Sequence, residues 1–434
     1  MRKFAAGIII SVFIITSLYY EPVRSSARYV AIMGSNSSDC SDASIPCLTI
    51  QYAINQALTE DTIYVAPGTY KEKLSITNKN LTLLGFFFDT SATSGGSATN
   101  TRPIIDGAVI VGGPDVVIVK GSVVNIRGFI ITGGTGCGLK YMTSSSGTIK
   151  DNLIYGNSNN GICVDGSNPT IDSNTIIGNG WHGIQNNDAG TTIVNNIITG
   201  NGWSGIGNDW SEIIVTNNTI TNNTYHGIHV ANHSTLTVTN NIIVSNQQYG
   251  IYVNSGGTST NTYNDVWNNG ADNYSGTSAG IGSISADPDF ASATDLHLQC
   301  TSPALDVGNN AAPAIPPFDK DGNPRIRNVT VDMGAYEAKC VKRPTNPPSI
   351  KPLARTNLTK ARRLLSSADD LLAQAKMKGL DTGACENLME EAKSVLEEAK
   401  VAMYNPIYAN NLALKAMQKM QEAIDCLTSL LGGA

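Results

Sequence analysis

The chain has 434 residues, with 29 Lys and Arg against 35 Asp and Glu, and only 15% of its residues are charged. A net charge of −6 excludes the basic footprint that a nucleic-acid binder needs. The length leaves room for one large domain and a smaller one, and the 42 glycines argue that most of the chain is short strands and turns rather than helix.

The N-terminus has the layout of an export signal over residues 1–27. Arg2 and Lys3 precede the apolar run Phe4–Leu18, and Ser25-Ser26-Ala27 offers small residues for cleavage. The run falls short of the roughly 20 apolar residues of a membrane span, so a retained anchor is the weaker alternative. No later segment is apolar enough to cross a bilayer. These features point to a secreted or cell-surface protein, in which the eight cysteines are expected to form disulfides.

From residue 148 the sequence repeats. "TIKDNLIYGNSNNGI", "TIDSNTIIGNGWHGI", "TIVNNIITGNGWSGI", "IVTNNTITNNTYHGI" and "TVTNNIIVSNQQYGI" align at a spacing of 22 residues, then 23. One asparagine column holds Asn152, Asn174, Asn196, Asn218, Asn241 and Asn264; a second holds Asn157, Asn179, Asn201, Asn223, Asn246 and Asn269. A unit this small cannot bury its own apolar face and must stack on its neighbours. Coils of this length stacked about 4.8 Å apart make an all-β parallel solenoid. Ile162, Ile184, Ile206, Ile228 and Ile251 form one inward column, and the asparagine amides bond from coil to coil.

The flanking segments resemble a known family. "PCLTIQYAINQALTEDTIYVAPGTYKEKLSITNKNLTLLG" (residues 46–85) resembles the entry segment of right-handed parallel β-helix proteins of the pectin-lyase-like superfamily. "SADPDFASATDLHLQCTSPALDVGN" and "FDKDGNPRIRNVTVDMGAYEA" are similar to the closing segment of secreted surface proteins of the choice-of-anchor Q type. The resemblance covers about residues 40–338. It implies a right-handed parallel β-helix over 28–340, its open end capped by a helix carrying Ile50, Ala53, Ile54 and Ala57. It leaves activity open, because the fold hosts lyases, hydrolases, epimerases and non-enzymes.

After Cys340, a proline-rich linker is expected over 341–355, followed by a three-helix bundle over 356–434. Leu358, Ala361, Leu365, Ala368, Leu372 and Ala375 recur at helical spacing, as do Cys385, Leu388, Ala392, Val395, Ala399 and Ala402. Gly379 and Asn405-Pro406 separate the helices. Attachment to a protein partner is the expected role of this bundle, and a solubilising cap is the plainer one. Cys40–Cys47 and Cys300–Cys340 are expected to close the two ends of the β-helix. Cys385 and Cys426 lie symmetrically about Asn405-Pro406, so a disulfide is expected to staple the second and third helices. Cys137 and Cys163 lie three positions out of register on adjacent coils, roughly 10 Å apart in a regular coil, and are expected to stay unpaired.

Chemistry concentrates on the coils. Trp181, Trp203 and Tyr225 fall into one column, with His182, Ser204 and His226 beside them. Next come Cys163, Gln185, Gly207, His229 and Tyr252. Aromatic rings beside Asn, Asp and His suit sugar rings, so Trp181, His182, Trp203, Tyr225, His226, His229 and Tyr252 are candidate glycan contacts; a turn-covering role is the plainer alternative. Asp165, Asp188 and Asp209 are candidate catalytic carboxylates at separations that bracket glycosidase geometry. Asp is also a common turn residue, and Asp188 is one position out of register. The paired Asp-Asp and Gly-His-Gly motifs of the family's hydrolases are absent from the coils, as is the Asp-Pro-His-Asp motif of alginate epimerases. Between Asp151 and Asp319 there is no Lys or Arg, which argues against elimination on acidic polysaccharides.

No cofactor is expected, with calcium as the weaker alternative. "DKDGN" (319–323) is an incomplete calcium loop, His182 and His226 lie two coils apart, and His226 and His229 are expected on different sides of a regular strand, so no metal site is assigned. Eight Asn-x-Ser/Thr sequons include Asn217 and Asn232. The expectation is a non-catalytic protein that binds glycan or builds a surface layer. The alternative is a polysaccharide-acting enzyme, a glycoside hydrolase before a lyase or epimerase.

Overall fold

The computed structural model describes residues 26–85, 102–108, 113–254, 256–339, 350–401 and 406–432. The expected signal segment lies outside these residues except for its last two positions. Ala27 already belongs to the strand Ala27–Val30, so the expected boundary at 27 falls inside a paired element.

Each coil contributes one strand to each of three parallel sheets. In the coil beginning at Ile162 these are Ile162–Asp165 in sheet I, Asn168–Asp172 in sheet II and Thr175–Ile177 in sheet III. Sheet I has nine strands, sheet II ten and sheet III nine. Successive coils pair in register, Ile162 on Ile184 and Ile184 on Ile206. The inward isoleucine column Ile162, Ile184, Ile206, Ile228 and Ile251 is fully buried. Helix α1 (Ile50–Gln56) covers the N-terminal end with Ile50, Ala53 and Ile54, and Thr49 caps it by accepting from Tyr52 N.

The turns explain the composition. Every asparagine of the first column follows a residue in the left-handed region: Asp151, Ser173, Asn195, Asn217, Asn240 and Tyr263. Gly156, Gly178, Gly200, Asn222, Ser245 and Asn268 precede the second column in the same way. Gly, Asn and Asp tolerate that conformation best. The next asparagine then points inward: Asn196 Oδ1 accepts from the backbone and side-chain N–H of Asn174, and its Nδ2 donates to Ile171 O, Val194 O and Asn218 Oδ1. Both ladders run unbroken to Asn264 and Asn269.

Residues 284–338 fold back as a strap along the turn between sheets II and III. Asn195 donates to Phe318 O, Asn217 to Asp332 O and Asn240 to Asn309 O. Leu298, Ala304, Leu305 and Met333 pack on Ile242 and Val244. The strap buries Asn217, which removes that sequon from the surface. It also brings Lys320 Nζ to Ser173 O and Arg325 to Asn195, beside coils whose own sequence holds no cation. Arg325 is fully buried and paired with Glu337 at 3.1 Å.

Three helices follow: α2 (Ile350–Met377), α3 (Gly383–Val401) and α4 (Pro406–Gly432). The expected linker over 341–355 is corrected at its end, because α2 begins at Ile350. Pro352 interrupts nothing, since the first turn of a helix has no internal acceptor for its N–H groups. Gly379, at φ 72°, closes α2 as Leu380 N returns to Ala375 O.

Disulfides Cys40–Cys47 and Cys385–Cys426 are formed, with Cα atoms 5.2 and 5.7 Å apart. Cys300 is disulfide-bonded, and its expected partner Cys340 lies outside the described residues. Cys137–Cys163 is also bonded, at a Cα separation of 6.1 Å, which corrects the expectation that both stay unpaired. The three-residue offset is not straight strand. The chain turns the corner between Gly133 and Gly138, before the strand Leu139–Met142 begins, and the corner folds Cys137 back over the sheet edge.

Candidate functional site

The same corner, repeated on successive coils, assembles the candidate site on the outer face of sheet I. Trp181 N bonds to Asn159 O, Trp203 N to Trp181 O and Tyr225 N to Trp203 O, so the three aromatics occupy equivalent corner positions. Their rings stack along the axis, with centroids 5.9 Å apart for Trp181 and Trp203 and 4.3 Å for Trp203 and Tyr225. The first pair is offset, which leaves Trp181 55% and Trp203 39% exposed. This is one rim.

The face beside it carries Gln185, Gly207, His229 and Tyr252 in register, then Asp165, Asn187 and Asp209. The corner tilts His182 and His226 over this surface. The space that a side chain at Gly207 would fill is taken by the His182 ring and the Gln185 amide, so any larger residue there would have to displace them. The His226 ring lies 4.6 Å from Tyr252 and 5.4 Å from His229. His226 and His229 therefore share one side, which corrects the expectation from a regular strand, for the same reason as at Cys137. At the other end of the strand Ile206–Asp209, Trp210 is 58% exposed and its ring lies 5.2 Å from His233. This second rim was missed because neither residue belongs to the aligned Gly-Ile columns.

Three of these histidines, His182, His226 and His229, are held toward the neutral form. Burial, with His229 nearby, holds His182 down to about 4. Burial, then His229 and His182, hold His226 down to about 3. Burial also lowers His229, against the opposing pull of Asp209. His226 Nδ1 accepts from Tyr249 N, which leaves its Nε2 as the donor. His182 Nδ1 is buried and unpartnered.

The candidate carboxylates are not gathered into an acid–base pair. Asp165 and Asp209 flank Asn187 in one column, two coil spacings or roughly 10 Å apart. Asp165 accepts from Asn187 Nδ2 at 3.2 Å, and Asp209 from Asn232 Nδ2. Asp188 takes a left-handed turn conformation at φ 48°. In "DKDGN", Asp319 is used by its own turn, accepting from Asp321 N, Asn323 N, Asn323 Nδ2 and Glu337 N. Among the described residues no group of three or more metal-ligating side chains is placed to hold an ion, and no helix is long and apolar enough to cross a membrane.

The family model described as "Right handed beta helix region" matches residues 75–212 and 185–287. No curated protein matches the sequence. Among solved structures the chain is similar to pectate lyase Pel9A, at 16% identity and a TM-score of 0.47, over 72% of this chain and 96% of that one. It is also similar to XylC in complex with xylose, at 13% identity and a TM-score of 0.37, over 59% and 71% of the two chains. A third likeness is to alginate lyase from Paenibacillus sp. str. FPU-7, at 17% identity and a TM-score of 0.33, over 58% and 97%. At these identities and TM-scores the likenesses carry no argument, and the family model together with the three stacked parallel sheets identifies the fold. The chain is, in its coiled region, a right-handed parallel β-helix protein.

Proposed function

We propose that the outer face of sheet I binds a glycan without cleaving it, and that the protein is a secreted or surface-attached β-helix. The supporting observation is the half-exposed Trp181–Trp203–Tyr225 stack beside a row of amide, carboxylate and neutral imidazole groups. Sugar rings present C–H faces to aromatics and hydroxyls to such polar groups. The Trp210–His233 pair forms the opposite rim. A non-catalytic role is favoured because Asp165 and Asp209 are separated by Asn187 and each is bonded to an amide. The helical bundle is the proposed site of attachment to a protein partner. Incubation of the full chain with a panel of neutral and acidic polysaccharides, scoring retention and released reducing ends together, tests this reading. Retention without new reducing ends is expected; new reducing ends that disappear in Asp209→Asn would overturn the non-catalytic part.

A further inference from the structure

The corner before sheet I repeats one diagonal contact. A side chain at the corner meets the face position three residues on in the next coil. His182 lies against the site of Gly207, and the His226 ring lies 4.6 Å from Tyr252. Cys137 holds the same corner position, since the register aligns Cys137, Asn160, His182, Ser204 and His226. Its diagonal partner is Cys163, to which it is bonded. The disulfide is therefore the covalent member of this series, at the N-terminal end of the aromatic face.

Asn160 sits between that bond and the first tryptophan. It is buried, its Nδ2 donates to Cys163 Sγ at 3.2 Å, and its Oδ1 accepts from His182 N at 2.8 Å. Beside it, Asn159 N donates to Gly136 O in the glycine-rich corner that carries Cys137, and Asn159 O accepts from Trp181 N. A side-chain link and a backbone link thus run in parallel from the stapled corner to Trp181 and His182, at the exposed end of the ring stack.

We propose that Asn160 is a positioning residue for this face, seated by the Cys137–Cys163 bond, and that the two together fix the Trp181–His182 corner. The inference rests on the reading of sheet I as a glycan surface. An asparagine amide has a donor end and an acceptor end, and here one is spent on the sulfur and the other on the next coil. The bond to Cys137 holds that sulfur in place. Without it the buried Nδ2 lacks its acceptor, and a buried donor left unpaired is costly enough to turn the side chain toward another partner. That rotation gives up His182 N. Stacking on an aromatic ring depends on the ring's orientation, so a shift at this corner weakens the sugar contact.

The test is a double-mutant cycle on the full chain, pairing Asn160→Ala with Cys137→Ala and Cys163→Ala made together. Retention on the polysaccharide that the parent binds is read beside the near-ultraviolet circular dichroism of the stacked indoles. Each change should weaken retention about fivefold to tenfold, and the combination should do no more than either, because both act through one link. The near-ultraviolet signal should fall in each variant while the far-ultraviolet spectrum stays unchanged. Asn160→Asp, which keeps the acceptor for His182 N, should recover most of the retention; this variant and Asn160→Ala carry the test if the cysteine variant does not fold. Losses that multiply in the combination, or full retention in Asn160→Ala, would overturn the positioning role. A parent that retains no glycan would overturn the glycan reading instead, and an unchanged near-ultraviolet signal in Asn160→Ala would then sink the positioning role separately.

Discussion

The Asn196 side chain makes five hydrogen bonds inside the coil stack, and all its partners are buried with it. Asn196→Ala strands several backbone and amide groups at roughly 1–3 kcal/mol each. A loss of about 3 kcal/mol or more is expected in urea unfolding, far above a surface substitution. On the polar face, Trp181→Ala with Trp203→Ala should weaken glycan retention by about tenfold or more, near 1.4 kcal/mol, with an unchanged far-ultraviolet spectrum. Unaltered retention would place the glycan elsewhere. His182 and His226, held down to about 4 and about 3, stay neutral across the range where most proteins are handled. In the His233→Asn variant, which lacks the imidazole of the opposite rim, retention should therefore be flat from about pH 5 to 8 and change only in stronger acid; a transition near the ordinary histidine value of about 6.5 in that variant would contradict the burial of these rings. His297 behaves oppositely. Partial burial opposes its charge, but bonds to Asp295 and to Asp321, the latter at 2.8 Å, outweigh it and raise its pKa. A raised histidine contributes stability that is fully present below its unfolded value and lost as pH rises through the folded one.

At the scale of elements, the corner before each strand of sheet I is the unit that matters. It explains the bonded Cys137–Cys163 pair, the shared side of His226 and His229, and the ring of His182 over Gly207. A side chain longer than glycine at 207 would displace His182 and Gln185 and alter the face without disturbing the coil ladders. The helical bundle depends on a different device. Cys385–Cys426 closes a loop of 41 residues between α3 and α4, worth roughly 3–4 kcal/mol in the chain-entropy model. Its buried core is rich in alanine, with Ala361, Ala368, Ala375, Ala392, Ala399, Ala409, Ala413, Ala416 and Ala423, so little apolar area compensates for loss of the staple. Reduction should lower the helical melting transition while the β-helix transition moves less; coincident transitions with and without reductant would show the staple contributes nothing.

For the whole molecule, the strap decides what the coils alone leave open. It supplies Lys320 and Arg325 to coils whose own sequence has neither Lys nor Arg, buries Asn217, and covers Asp265, whose Oδ1 accepts from Ala286 N. Burial, opposed by that bond, raises Asp265 to about 7. Such a carboxyl stabilises the fold below its unfolded value near 3.8 and loses that contribution as pH rises through about 7. His297 acts in the same direction, so the strap should become more open to proteolysis as pH rises from about 4 through about 7, an effect that Asp265→Asn should reduce. The coil period, the two asparagine ladders, the inward isoleucines and the register of the aromatic columns were all legible in the sequence. Each depends on contacts between residues one repeat apart, and a constant period fixes those contacts before any coordinates are known. The Cys385–Cys426 staple was legible for a similar reason, since a helical hairpin maps sequence symmetry onto space. The Cys137–Cys163 bond, the convergence of the histidines, the Trp210–His233 rim and the strap's cations were decided only by tertiary structure. Corner angles and long-range docking depend on backbone direction, and spacing along the chain does not record direction.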